Sequence, residues 1–223
     1  MTAGSIRRVV DAWADESESL ASADGIGYVQ IFENRGAMMG ASNPHPHGQI
    51  WAVEHVPSLP ARKAANLASY WDSHRRDLLG DYLDEELARG ERVVAASDHF
   101  MHVVPYWAVW PFETMLVPRR RVTNLSELDD EERSDLAHVV RALTSRYDRL
   151  FDTPFPYSMA WYQAPCDGRR HEGFRLHAAY LPPLVRSAQV RKYLVGYELS
   201  AEPQRDITPE EAAARLRSVS VES

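Results

Sequence analysis

Cysteine is almost missing from this 223-residue chain, whose single copy, Cys166, excludes an internal disulfide and fits a reducing compartment. Long apolar runs are missing as well. Arg7, Arg8, Asp11 and Asp15 interrupt the apolar residues near the N-terminus, so no signal-peptide core is expected there, and no stretch approaches the roughly 20 apolar residues that a membrane span requires. Excess positive charge is absent too. With 25 Lys and Arg against 32 Asp and Glu the net charge is −7, which argues against a general nucleic-acid binder while leaving room for a locally basic pocket. A hydrophobic content of 44% is ordinary for a globular protein, and the length suits one large or two small domains. The expectation is a soluble protein of the cytoplasm.

What the chain does have is the stretch Ser42-Asn43-Pro44-His45-Pro46-His47-Gly48-Gln49-Ile50-Trp51. Pro44 and Pro46 fix their own φ and push the preceding residues toward extended backbone, so two imidazoles are carried on a stiff segment. In extended chain residues i and i+2 share a face, which allows one of His45 and His47 to bind a metal while the other reacts. A histidine with an ordinary pKa of about 6.5 is largely neutral at pH 7 and can attack phosphorus, provided its second nitrogen donates to a fixed acceptor such as a main-chain carbonyl. Gly48 would leave space beside the attacked group, and Gln49, on the face of His47, could donate to a phosphoryl oxygen. The same residues would also suit a surface loop with two incidental histidines, or a pair sharing one metal.

Around this stretch the pattern alternates between helix and strand. Ile6, Val9, Val10 and Trp13 predict an amphipathic helix over 3–20, followed by strands at 27–32 and 47–55 with a glycine-containing loop between them. Pro57 to Pro60 reads as a linker, and a single long helix is expected over 61–89, stopped by Gly90, with His74 at its boundary. Strands are expected at 92–104 and 111–118, joined by an aromatic turn whose Trp107 and Trp110 belong to the core. Ser126 and the acidic run after it open a helix, strands follow at 157–163 and 174–181, and Thr208-Pro209-Glu210-Glu211 caps a last helix. Helix, strand, loop, strand thus occurs twice. The second copy has two strands ahead of its helix and the first has none, so the first unit is expected to leave a strand without neighbours and to need a partner.

Phe32-Glu33-Asn34-x-Gly36 and Gly40-x-Ser42-Asn43-Pro44-His45-Pro46-His47-Gly48-Gln49-Ile50-Trp51, with Arg186-Ser187-Ala188-x-Val190-Arg191-Lys192-Tyr193-x-Val195-Gly196-Tyr197-Glu198 near the end, resemble the galactose-1-phosphate uridylyltransferase family. That family is a branch of the histidine-triad superfamily with glutamine in place of the third histidine. The resemblance covers nearly all of this chain but only the C-terminal two-thirds of the family's polypeptide. It implies an α+β fold of two histidine-triad-like units of antiparallel sheet plus helices, the first truncated on its N-terminal side: residues 1–57, and residues 61–223 with a substrate-binding tail.

The resemblance also implies roles. His47 would be the nucleophile and Gln49 its phosphoryl donor. Asn34, Gly40, Ala41 and Ser42 would cradle a diphosphate. Lys192, Tyr193, Val195, Tyr197, Glu198 and Gln204 would hold the hexose and phosphates of a neighbouring subunit, which implies a homo- or hetero-oligomer. His45 would be one ligand of a structural zinc whose other ligands lie in an N-terminal segment outside this sequence. The family's second, iron-type site uses a glutamate and three histidines, and the matching positions here are Lys63, Tyr162, His177 and Ala179, so no metal is expected there. The activity implied is transfer of UMP from UDP-glucose to galactose-1-phosphate through a uridylyl-histidine, with an N-terminal partner chain and with neither nucleic acid nor membrane involved. The alternatives are another histidine-triad nucleotidyltransferase or phosphorylase, or a noncatalytic truncated subunit.

Overall fold

The computed structural model describes residues 1–41, 43, 45–183 and 196–220. The fold begins with α1 (Ala3–Ala21), which buries Ile6, Val10, Trp13 and Ala14 along one stripe. It continues through β1 (Tyr28–Arg35), β2 (Gly48–Val53), α2 (Ser58–His74), α3 (Leu78–Arg89), β3 (Val93–Ala96), β4 (Phe100–Val103) and β5 (Thr114–Pro118). After these come α4 (Asp130–Leu150), β6 (Tyr157–Tyr162), β7 (His177–Leu181), the short α5 (Tyr197–Ser200) and α6 (Pro209–Ser218). The described strands form one antiparallel sheet in the order β2-β1-β6-β7-β5-β4-β3.

Alternation along the strands gives the sheet two apolar faces. Ile31, Leu116, Met159, Trp161, Ala178 and Tyr180 join the stripes of α1, α4 and α6 in the larger core. Met101, Val103, Met115, Val117 and Tyr162 face the other way, onto Ala64 and Leu67 of α2 and Leu79 and Leu83 of α3.

The repeat is visible as two abutting copies, α1-β1-β2 and α4-β6-β7, which meet where β1 pairs with β6 through Ile31↔Trp161 and Glu33↔Met159. This corrects one expectation. β1 is not left without neighbours, because β6 joins it to the second unit; the first unit's open edge is β2, which among the described residues pairs only with β1. The same pairing carries a continuous sheet across the proposed boundary near residue 57.

Four further expectations are corrected. The helix over 61–89 is two helices, because Arg75 takes a left-handed φ of 55° at the end of α2 and the Asp77 carboxylate caps α3 through the Gly80 amide at 2.6 Å. Pro57 and Ser58–Pro60 are no linker but the cap and first turn of α2, with Pro60 buried. The segment 92–104 folds back on itself as the β3–β4 hairpin, whose turn is held by Asp135 accepting from the Ser97 hydroxyl and the His99 amide. Finally, α4 starts later than Ser126: Asp129 and Glu132 form a reciprocal capping box, and the preceding residues make a separate turn over Leu125–Glu127. The aromatic turn differs as well, since Trp107 is 44% exposed and packs on Tyr82 at the surface.

Candidate active site

The loop from β1 to β2 makes a tight turn, with Gly36 and Gly40 at φ of 86° and 78° around a short 3-10 turn at Ala37–Met39. Its amides close on its own carbonyls: Gly40 N–H donates to Ala37 O at 3.1 Å and Ala41 N–H to Gly36 O at 3.3 Å. The backbone donors read from the sequence as a diphosphate cradle are therefore engaged within the turn at these two positions. Ser42 lies outside the described residues. Beyond the turn, the His45 amide donates to the Asn43 side-chain oxygen at 2.9 Å, which bends the chain just ahead of the second histidine.

His47 stands one residue before β2. Its Nδ1 lies 2.8 Å from the carbonyl oxygen of His45. A carbonyl can only accept, so Nδ1 carries the proton and the neutral ring keeps its lone pair on Nε2. Among the described residues no hydrogen bond engages that nitrogen.

Gln49 pairs with Phe32 across the β1–β2 ladder and shares its face with Trp51. The Trp51 indole N–H donates to Gln49 Oε1 at 3.1 Å, and the Trp51 ring meets Phe32 edge to face at 5.3 Å. This fixes the amide with its oxygen occupied and its NH2 available to donate. Asn34 is oriented in the same way: the Ser158 hydroxyl donates to its Oδ1 at 2.6 Å, leaving the NH2 as the outward group.

A cleft of about 340 Å³ opens between this loop, α1 and α4. It brings together Asn34, His45 and His47, and adds Glu33, Arg35 and Tyr157, which the sequence reading did not single out as site residues. Arg35 is paired with Asp148 of α4 at 2.9 Å. Burial pushes the Glu33 carboxyl above the usual carboxylate range, against the opposing pull of Arg35 and His47. The alternation of β1 could have exposed these positions in the sequence, because Glu33 and Arg35 share the face of the buried Ile31.

The remaining expected residues lie elsewhere. Gly40, Ala41 and Gln49 do not line the cleft; Tyr197 and Gln204 are exposed, and neither they nor Glu198 lines it. Lys192, Tyr193 and Val195 lie outside the described residues. No three metal-ligating side chains come together among the described residues, so those present do not complete a zinc site around His45.

Three of the four iron-type positions do converge. Lys63 Nζ sits 3.3 Å from His177 Nε2 and 4.1 Å from the centre of the Tyr162 ring, on the α2 side of the sheet. This set does not fit a metal ion. Its imidazole lone pair faces an ammonium, burial pushes the Tyr162 phenol up and so keeps it protonated, and Ala179 offers no donor.

Comparison with known proteins places the chain by its sequence and fold. The family model for the C-terminal domain of galactose-1-phosphate uridyl transferase matches residues 63–223, and the model for its N-terminal domain matches residues 1–57. A galactose-1-phosphate uridylyltransferase of Rattus norvegicus is 50% identical over 220 residues, covering 97% of this chain and 58% of its own length. One from Haemophilus influenzae is 49% identical, covering 99% of this chain and 62% of its own length. The chain thus spans about three-fifths of the length of these relatives. A solved uridylyltransferase structure superposes with a TM-score of 0.91 at 29% identity, over 98% of this chain and 68% of that one. The chain belongs to the galactose-1-phosphate uridylyltransferase family.

Proposed function

We propose that this chain carries the nucleotidyl-transfer site of a UDP-glucose–hexose-1-phosphate uridylyltransferase, with His47 as the nucleophile. The observation that carries the reading is the bond from His47 Nδ1 to the His45 carbonyl, which sets the tautomer needed for attack through Nε2. In the first half-reaction Nε2 forms a bond to the α-phosphorus of UDP-glucose, the bridging P–O bond breaks, and glucose-1-phosphate leaves. The imidazole of the uridylyl-histidine then carries a positive charge, which the carbonyl at Nδ1 stabilises. In the second half-reaction a phosphate oxygen of galactose-1-phosphate attacks the same phosphorus, and the imidazole leaves neutral as UDP-galactose forms. The Gln49 NH2, oriented by Trp51, donates to the non-bridging oxygens as charge builds on them.

The proposal extends to partners. In the second unit β7 is flanked on its outer side by β5, whereas its counterpart β2 has no outer neighbour among the described residues. A strand playing the part of β5 completes the first unit, supplied by an N-terminal polypeptide or partner chain, and the remaining zinc ligands accompany it. The tail residues Lys192, Tyr193, Val195, Tyr197, Glu198 and Gln204 are assigned to hexose and phosphate binding across a dimer, in the cytoplasm. Among the described residues no helix is long and apolar enough to cross a membrane.

Exchange of labelled glucose-1-phosphate into UDP-glucose without any second sugar phosphate tests the two-step scheme. The full protein should catalyse this exchange, and His47→Asn should abolish it. Turnover that always requires both sugar phosphates together would refute a covalent intermediate.

A further inference from the structure

His177 is built like His47. It opens β7 as His47 precedes β2, and its Nδ1 lies 2.9 Å from the carbonyl oxygen of Arg175, again two residues back. The carbonyl fixes the same tautomer, so Nε2 carries a lone pair here too. The surroundings differ. His177 is buried, stacked on Tyr162 at 5.1 Å and on Phe174 at 6.2 Å, and its Nε2 points at Lys63 Nζ of α2.

A lone pair in an apolar interface costs free energy if nothing donates to it. Lys63 supplies the donor, and its charge lies over the Tyr162 ring face at 4.1 Å. Among the described residues no acid forms a salt bridge with Lys63. Glu113 acts on it electrostatically, but the Glu113 carboxylate is held by the amides of Val109 and Trp110. Burial lowers the affinity of Lys63 for its proton, as expected of a cation placed against an apolar sheet.

We propose that Lys63 is a tethered cation that caps the His177 lone pair, fastens α2 to the sheet, and closes this second carbonyl-anchored imidazole to metal ions. The proposal is independent of the reaction assigned to His47. It makes Lys63 and His177 a coupled pair: removing either strands the other, whereas removing both leaves only the Arg175 carbonyl without its donor, a loss already present in the His177 single variant.

The test uses the full protein with Lys63→Met, His177→Phe and the double variant. Each single change should lower the thermal midpoint by on the order of 2–4 °C, and the double variant should fall by clearly less than the sum. Metal content per chain should be equal in the wild type and in His177→Phe, and an iron or zinc chelator should not alter any difference between their midpoints. Additive midpoint shifts, or a metal equivalent in the wild type that His177→Phe removes, would overturn the proposal. If a single variant fails to fold, anomalous scattering at the iron and zinc edges from crystals of the wild type decides. A peak beside His177 Nε2 refutes the cap, and its absence from metal-soaked crystals supports it.

Discussion

At the scale of single residues, two buried or anchored imidazoles illustrate opposite uses of one side chain. His47 is exposed, with one nitrogen tied to backbone and the other open; His102 on β4 is fully buried beneath α4, and its Nε2 finds no partner among the described residues. Burial, aided by the nearby Arg146 charge, depresses the His102 pKa from 6.5 to about 3. An unfolded chain therefore takes up this proton near pH 6.5 and the folded one resists it until about pH 3, so stability is fully present above pH 6.5 and drains as the pH falls between those values. His102→Leu should flatten that acid limb by as much as ~1.4 kcal/mol per pH unit, read from urea midpoints across the range. For the site itself, Gln49→Ala should lower kcat by about 10²–10³-fold with KM little changed, because its NH2 is assigned to charge that develops in transfer. A change confined to KM would show that Gln49 merely binds substrate.

The anchored His45–His47 segment was legible at this scale because prolines and histidines in a row leave few conformations. Glu33 and Arg35 were not singled out. Alternation along β1 puts them on the inward face with Ile31, but that this face meets Asp148 of α4, more than 100 residues further along, lies beyond any local pattern.

Among the elements, strands and amphipathic helices followed their periods, and the ends were where reading failed. The α2–α3 break is the clearest case, because Leu67, Trp71 and Leu78 continue an apolar spacing straight through it. What stops the helix is Asp77, which both caps α3 and takes a two-bond grip from Arg175 at 2.9 Å. Arg175 also donates to the carbonyls of Pro118 and Arg119, so it joins the helix junction to the sheet. Asp77→Ala should accordingly cost about 3–5 kcal/mol, leaving Arg175 buried without its counter-charge as well as removing a helix cap. Chemical denaturation measures this, and a loss under 1 kcal/mol would show that the junction tolerates an unpaired guanidinium. A smaller constraint sits at Gly27, where an added Cβ would lie 2.5 Å from the Glu54 carbonyl oxygen. Gly27→Ala must therefore part the open ends of the β1–β2 hairpin, where Gly27 leads into β1 and Glu54 leaves β2, and should lower the thermal midpoint.

For the whole molecule, the two units share one sheet but end differently. The second is complete, with β5, β4 and β3 outside β7; the first stops at β2. The sequence already suggested the imbalance, since two strands precede one repeat and none the other. It did not reveal that β1 and β6 would pair, because β-pairing between repeats depends on contacts roughly 130 positions apart that no short window contains. The open edge presents Gly48 to Val53 with Trp51 exposed beside it, so the chain expressed alone should self-associate or unfold more readily than the same chain with its completing strand. Sedimentation of the two preparations separates these outcomes, and a stable monomer from the chain alone would contradict the need for that strand.

The proposed transfer stands on a transient bond from His47 Nε2 to phosphorus. Its most direct measurement is peptide mapping by mass spectrometry after the full protein is mixed with UDP-glucose and quenched under alkaline conditions. A uridylyl mass is expected on the peptide spanning His45 to Trp51, localised to His47, discharged by galactose-1-phosphate and absent from His47→Asn. An active protein whose adduct sits on His45 or on any other residue, or that forms none during turnover, would contradict it.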